Sequence, residues 1–505
     1  MARSSFLLGV WLAASPVIAL CASGCAEGND AGTGGESGTG PTTTTTGATT
    51  TASTTSSTTA ATTSTGPTSS CTPDEGLPVD ATCGLFVQPS APAGGDCSQS
   101  SPCRTLSEAV ARVTIDSFRV YVCSEELVES ATVPAGVELY GGFDCEAGWS
   151  WSLDGRTPWT AGPDEIPLRT QGAAFPIVVS GFDIEAQSAT IPGGSSVAIL
   201  ADGGALRVER GSIVVGDGAP GEAGVAGVAG ADGTPGLIGN NSAGQTGGDG
   251  GVTVCAAGFS GGDGAKIVCN GACMAGAPED GEPGAAQGGG AAGTSDVTDC
   301  TDGSNGVIGV EGTAGVHGVG IGTIDENGFT AQNGTDGADG AHGKGGGGGG
   351  AKTDVLYGGG GGGSGGCAGT KGTAGGGGGS SIAIVALDVD LEFVGVTATV
   401  GKGGDGALGG LGGAGGLPGL GAAGGCISLQ CSIPGAKACK GGDGGVGGAG
   451  GTGGNGAGGH ALIIAYSGAD PSVSGLTYDP PQQSQAGLAP AGASMGVATV
   501  FLEFP

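Results

Sequence analysis

"GGDGGVGGAGGTGGNGAGG", residues 441–459, repeats Gly-Gly-X until it loses step near its end. Glycine gives up more chain entropy on ordering than any other residue, so the first question is whether such a stretch folds. Gly-rich linkers are normally flexible coils, but a coil has no reason to keep a period. Here glycines recur at 218, 221, 224, 227, 230, 233, 236 and 239, at 306, 309, 312, 315 and 318, and at 334, 337, 340 and 343. Three residues is the period of a left-handed polyproline-II-type helix, which has no internal hydrogen bonds and needs neighbours or water to satisfy its amides. Collagen meets that need with three chains, but uses one Gly per triplet and more proline than Pro220 and Pro235 supply here. Gly-Gly-X clears side chains from two of three faces, so neighbouring backbones can exchange N–H to C=O bonds. The reading favoured is a polyglycine-II-type helix bundle, with a disordered linker as its competitor.

Residues 403–420 place Asp405, Leu408, Leu411, Ala414, Leu417 and Leu420 on the X face, and 441–459 place Asp443, Val446, Ala449, Thr452 and Asn455 there. Two legs of matched length read as a hairpin, with the Leu face inward, the Asp, Thr and Asn face outward, and Cys426, Cys431 and Cys439 stapling the tip. "GKGGGGGGAKTDVLYGGGGGGSGGCAG", 343–369, reads as two central legs where no side chain fits.

Outside the glycines the chain alternates. "SSVAILADGGALRVERGSIVVGDG" from Ser195 aligns without a gap with "SSIAIVALDVDLEFVGVTATVGKG" from Ser380, and "HALIIAYSGADPSVSGLTY" from His460 and "MGVATVFLEF" from Met495 continue the pattern. The spacing of Ile382 and Ile384, then Leu391 and Phe393, is that of strands with one buried face. Upstream, "GLFVQP", "RVYVC" and "VELYGGF" read as strands and "RTLSEAVARV" as a short helix, with Thr105 and Glu108 at capping-box spacing. The segments "GGDCSQSSPCRTLSEAVARV", "RVYVC" and "ESATVPAGVELYGGFDCEAGWSW" resemble the entry of right-handed parallel β-helix proteins of the pectin-lyase-like fold, over about residues 83–215. The resemblance implies a helix capping a solenoid whose rungs turn at Gly, Asn or Asp. The glycine-rich parts are similar, in composition and period, to PE-PGRS-like surface proteins and to glycine-rich antifreeze bundles.

The expected fold class is therefore mostly β: a right-handed parallel β-helix (solenoid) with glycine-rich insertions forming a polyglycine-II-type bundle. Its expected divisions are a signal peptide, 1–24; a Thr-rich disordered tether, 25–70; the capped β-helix start, 71–216; glycine-rich insertion 1, 217–379; a rung, 380–401; glycine-rich insertion 2, 402–459; and final rungs, 460–505. The amino terminus has Arg3 and an apolar run from Phe6 to Leu20, short for a membrane span and suited to a secretory signal. Ala22-Ser23-Gly24-Cys25 resembles the lipobox of bacterial lipoproteins, which implies acylation at Cys25 and a membrane-lipid partner; Ala26, in place of Asp, implies outer-membrane sorting.

With Cys21 and Cys25 set aside, the remaining cysteines are even in number: Cys71, Cys83, Cys97, Cys103, Cys123 and Cys145, then Cys255, Cys269, Cys273, Cys300, Cys367, Cys426, Cys431 and Cys439. Disulfides and an oxidising, extracytoplasmic compartment follow. Insertion 1 holds Cys255, Cys269, Cys273, Cys300 and Cys367 and insertion 2 the other three, both odd, so a bridge between them is expected, with Cys367 the chosen insertion 1 partner. Thiolate zinc sites need paired spacings that only Cys269 and Cys273 approach.

A net charge of −32 would be repelled by phosphate backbones, which excludes nucleic acid as a partner. Asp144, Glu146 and Asp154, with Arg156 and Arg169 nearby in sequence, are the compact acidic group to test for polysaccharide chemistry; the plain reading is a solvated surface. His317, His342 and His460 read as surface residues, and Asp336 and Asp339 in "GTDGADG" as a weak calcium candidate that the nonapeptide pattern does not support. No catalytic residue, metal or cofactor is assigned. The expectation is a non-enzymatic, lipid-anchored cell-surface protein, structural or adhesive, with polysaccharide or other surface components as possible partners. The alternatives are an extracellular carbohydrate-active β-helix (lyase, hydrolase or binding protein) and an ice- or mineral-binding surface.

Overall fold

The structure is a computed structural model describing residues 71–505 apart from 173–174, 242–245, 256, 283, 427–436 and 469. Cys25 and Cys431 lie outside the described residues. The described residues form one compact unit, mostly β, with few helices.

A 15-stranded, almost wholly parallel sheet curls so that its strands stack in three ladders. One ladder aligns Ala131, Leu168, Ile199, Ile384, Ile464 and Phe501. A second aligns Val120, Leu139, Val179, Val208 and Phe393, and a third Leu127, Trp159, Ile184, Ile213 and Ala398. All but the half-buried Phe501 are buried in one continuous core. The internal repeat is literal stacking: Ser196 pairs with Ser381 and Val214 with Thr399, in parallel register.

The chain bends between ladders at left-handed residues that stack on one another. Gly172, Gly203, Asp388 and Gly468 mark one corner, with φ of 128°, 70°, 50° and 95°. Gly181, Arg210, Gly395 and Gly475 mark the next, with φ of 82°, 48°, 63° and 83°. Glycine takes this conformation without the Cβ clash that L-residues meet there.

Three features of the strand region differ from the sequence reading. Ile382 and Ile384 do not share a face: Ile384 joins the interior, whereas Ile382 packs outside with Leu462 and Phe504. The run Ser381–Ala386 is buried throughout, because the hairpin 323–330 and the C-terminal residues cover its outer side, and a strand covered on both faces does not alternate. The helix Leu106–Val110 has half of its capping box: the Thr105 hydroxyl accepts from Glu108 N, but Glu108 accepts from Arg104 N.

Both insertions leave the coil at its third corner, and their legs run side by side as extended chain with no strand assignment. Leg 217–240 runs parallel to leg 402–425, donating from Gly221, Gly224 and Gly227 to the carbonyls of Asp405, Leu408 and Leu411. Leg 402–425 donates in turn to leg 358–379, from Gly410 and Gly413 to Thr373 and Thr370, and accepts from leg 437–459, whose Gly450 and Gly453 donate to Gly413 and Gly410. The interval is three residues throughout.

Legs 358–379 and 332–351 lie at the centre. Their runs 345–350 and 358–363 are each surrounded by six other stretches of backbone. Gly345 donates to Glu282, Gly346 to Gly363 and Gly347 to Ser304; Gly358 donates to Asn240, Gly359 to Ala265 and Gly360 to Cys439. None of these glycines has positive φ. Glycine is required here for space: a Cβ on any residue from 345 to 350 would sit under 3.0 Å from a neighbouring leg's carbonyl, on three legs in rotation.

The Leu face lies outward, against expectation. Leu408, Leu411, Leu417 and Leu420 are 63 to 71% exposed, because the legs hold together by backbone bonds over bare glycine faces and leave the X side chains at the rim.

Six disulfides are described: 71–83, 97–103, 123–145, 255–367, 269–273 and 300–439. Cys426 is also disulfide-bonded. The bridge between the insertions is Cys300–Cys439; Cys367 pairs instead with Cys255, the two brought together where leg 358–379 passes 255–266.

Candidate functional surface

Of the acidic candidates, Asp144 and Glu146 share a cleft and Asp154 is not among its lining residues. Asp144 ends the strand Glu138–Asp144, and its Oδ1 accepts from Ala147 N at 2.9 Å, capping the turn. With Glu146 it lines a cleft of about 480 Å³ that also includes Ser124, Glu125, Trp151 and Ser152. Glu125 is turned toward Gln88 and Ser90. Arg169 donates to the Glu326 carbonyl, on the hairpin that covers the sheet. None of the residues lining the cleft is basic.

The histidines are structural. His317 Nδ1 accepts from Asn455 N at 3.0 Å and His342 Nδ1 from Ala368 N at 2.9 Å. His460 is buried, not on the surface. Its Nδ1 accepts from Val497 N, which leaves Nε2 to carry the proton and donate to the Ile321 carbonyl at 2.7 Å. Burial holds this imidazole below its usual pKa, against the opposing effect of the Ile321 bond.

Nor do the calcium and zinc candidates offer free ligands. Asp336 Oδ1 accepts from Ala374 N and Oδ2 from Lys371 Nζ, and Asp339 Oδ1 accepts from Lys371 N. The Lys371 ammonium and Ala374 amide bonded to Asp336 hold that carboxyl below its usual pKa. Cys255, Cys367 and His342 gather closely, but the two sulfurs are joined to each other. Cys269 and Cys273 are likewise bonded across a short hairpin.

What these polar residues share is a role at the bundle's edge. A leg without a neighbour on one side has outward N–H groups, and Asp, Asn, His, Ser or Thr on an adjacent leg accepts them. Asp232 takes Leu417 N, Asn305 takes Asp443 N, Asn455 takes Gly409 N, Asp443 takes Gly421 N, and Thr373 takes Val225 N, at 2.7 to 2.9 Å. Composition hides this role, since only register shows which X residue faces which amide.

With the edge amides answered by side chains, the rim presents a regular array. Leu408, Leu411, Leu417 and Leu420 form one row; Val307, Val310 and Val316 on leg 301–318 and Val225 and Val228 on leg 217–240 add others, all exposed. Successive residues of a row are about 9 Å apart at three residues of roughly 3.1 Å rise.

Comparison with protein-family models, with curated proteins and with solved structures returns no match. Among the described residues no helix is long and apolar enough to cross a membrane, and the disulfides fit an extracytoplasmic location.

Proposed function

We propose that this chain is a non-enzymatic surface protein that displays a rigid glycine bundle as a structural or adhesive face. The curled sheet is read as a right-handed parallel β-helix and the legs as a polyglycine-II bundle. Cys25 carries the lipid anchor, residues 25–70 form the tether, and the outer membrane is the site of display. The observation that carries the proposal is the exposed apolar array on a scaffold whose amides are bonded internally. Isolated surface apolar residues are ordinary, but repeated rows along rigid legs mark an interaction surface.

Changing Leu408, Leu411, Leu417 and Leu420 together to Ser tests it. These side chains support no core, so the melting temperature is expected to hold while retention on hydrophobic or cell surfaces falls. Unchanged retention would refute adhesion through this face. Intact-mass analysis of the mature protein is expected to show acyl groups on Cys25, and an unmodified amino terminus would refute the anchor.

A further inference from the structure

Arg210 occupies a left-handed corner, φ 48°, where its stacked neighbours are Gly181 and Gly395. An arginine held where glycine would be unstrained needs a reason. Its guanidinium lies 4.4 Å over the Trp151 ring and donates to Ser180 Oγ at 3.1 Å and to the Leu153 carbonyl at 3.3 Å. Arg156 donates to the same carbonyl at 2.7 Å and to Gly155 O at 2.7 Å. Two like charges thus converge on one neutral oxygen, and each disfavours the other.

Neither has an ion-pair partner among the described residues; the ion pairs involve Arg119, Arg207, Lys371 and Lys440. Of the carboxylates in this neighbourhood, Glu75 accepts from Leu153 N at 2.6 Å and Glu209 is paired with Arg207. In a chain of net charge −32, two unpaired guanidiniums brought together are out of keeping with their surroundings. The indole Nε1–H of Trp151, beneath Arg210, is buried without an acceptor among the described residues. Burial, and then the neighbouring Arg156, lower the Arg210 pKa, against the opposing charges of Glu209 and Glu75.

We propose that Arg156 and Arg210 form a binding site for a single oxyanion group, a sulfate or phosphate carried free or as a monoester. Two planar donor forks suit an oxyanion with several acceptor oxygens. Trp151, Ser152 and Gly155 also line the cleft of about 480 Å³ beside the pair, which gives room for a substituent on the ester. Asp144 and Glu146 in that cleft oppose a second anionic group, so a singly charged substituent pattern is expected rather than a polyanion.

The test is thermal melting of the full chain at constant ionic strength with millimolar sodium sulfate, glucose 6-sulfate, or glucose as the neutral control. Sulfate is expected to raise the melting temperature and glucose to leave it unchanged. Arg156→Gln, which touches neither the corner nor the Trp151 ring, is expected to weaken sulfate binding about tenfold or more. Arg210→Gly, which relieves the corner but removes the contacts with Trp151 and Ser180, is expected to lose the response to sulfate whatever its own melting temperature. A larger effect of glucose 6-sulfate than of sulfate identifies a monoester as the source, and an equal or smaller one identifies the free ion. No sulfate effect in the parent, or the same effect in Arg156→Gln, overturns the proposal.

Discussion

Position within the triplet decides what a residue of the bundle can be. A Cβ on Gly447 would meet the Cys367 carbonyl and one on Gly450 the Thr370 carbonyl, each under 3.0 Å. Ala449, between them, already carries a side chain at the rim. Gly447→Val and Gly450→Val are therefore expected to destabilise the bundle by about 1–3 kcal/mol or more, while Ala449→Val is nearly neutral; melting and limited proteolysis of the three variants check this ranking. The Gly-Gly-X period was legible in the sequence and so was this contrast. What it could not show was the direction of the X residues: apolar Leu suggested an inward face, but the legs associate through backbone bonds, so the rim is where side chains are left. His460 shows the reverse error, a histidine among glycines that is buried against Phe329 and Phe504. Its lowered pKa means that the unfolded chain takes up the proton first, so stability is full above the unfolded value of about 6.5 and falls as pH drops below it. Denaturant titrations between pH 8 and 5 are expected to show that loss, and His460→Gln to remove the histidine's share of it.

At the level of elements, corners and bridges set how rungs and legs are held. The corner Gly172, Gly203, Asp388 and Gly468 contains one non-glycine, so Asp388→Gly is expected to relieve its left-handed conformation, offset by the entropy glycine adds to the unfolded chain. Asp388→Val, branched at Cβ, is expected to lower the melting temperature clearly. Strand positions were legible from the repeat because Ser195–Gly218 and Ser380–Gly403 stack without a shift. The double burial of Ser381–Ala386 was not, since the covering hairpin comes from within a glycine insertion. Cysteine parity required a bridge between insertions but could not choose it. Cys300–Cys439 closes 139 residues and Cys269–Cys273 only 4. Replacing the first pair by Ser is expected to cost about 2–4 kcal/mol and the second distinctly less, as denaturant midpoints will show.

For the whole molecule, the central claim is that the glycine legs, which are neither helix nor strand, are as firmly ordered as the sheet beside them. The runs 345–350 and 358–363 have backbone on every side and amides bonded to several legs at once. The reading of function depends on this order, because a flexible glycine tract could not hold rows of leucine and valine in fixed register. Amide hydrogen exchange of residues 345–350 and 358–363 tests it directly. The account predicts protection comparable to the strand Ser381–Thr399, lost only in global opening; exchange at the rate of an unstructured glycine peptide would contradict it.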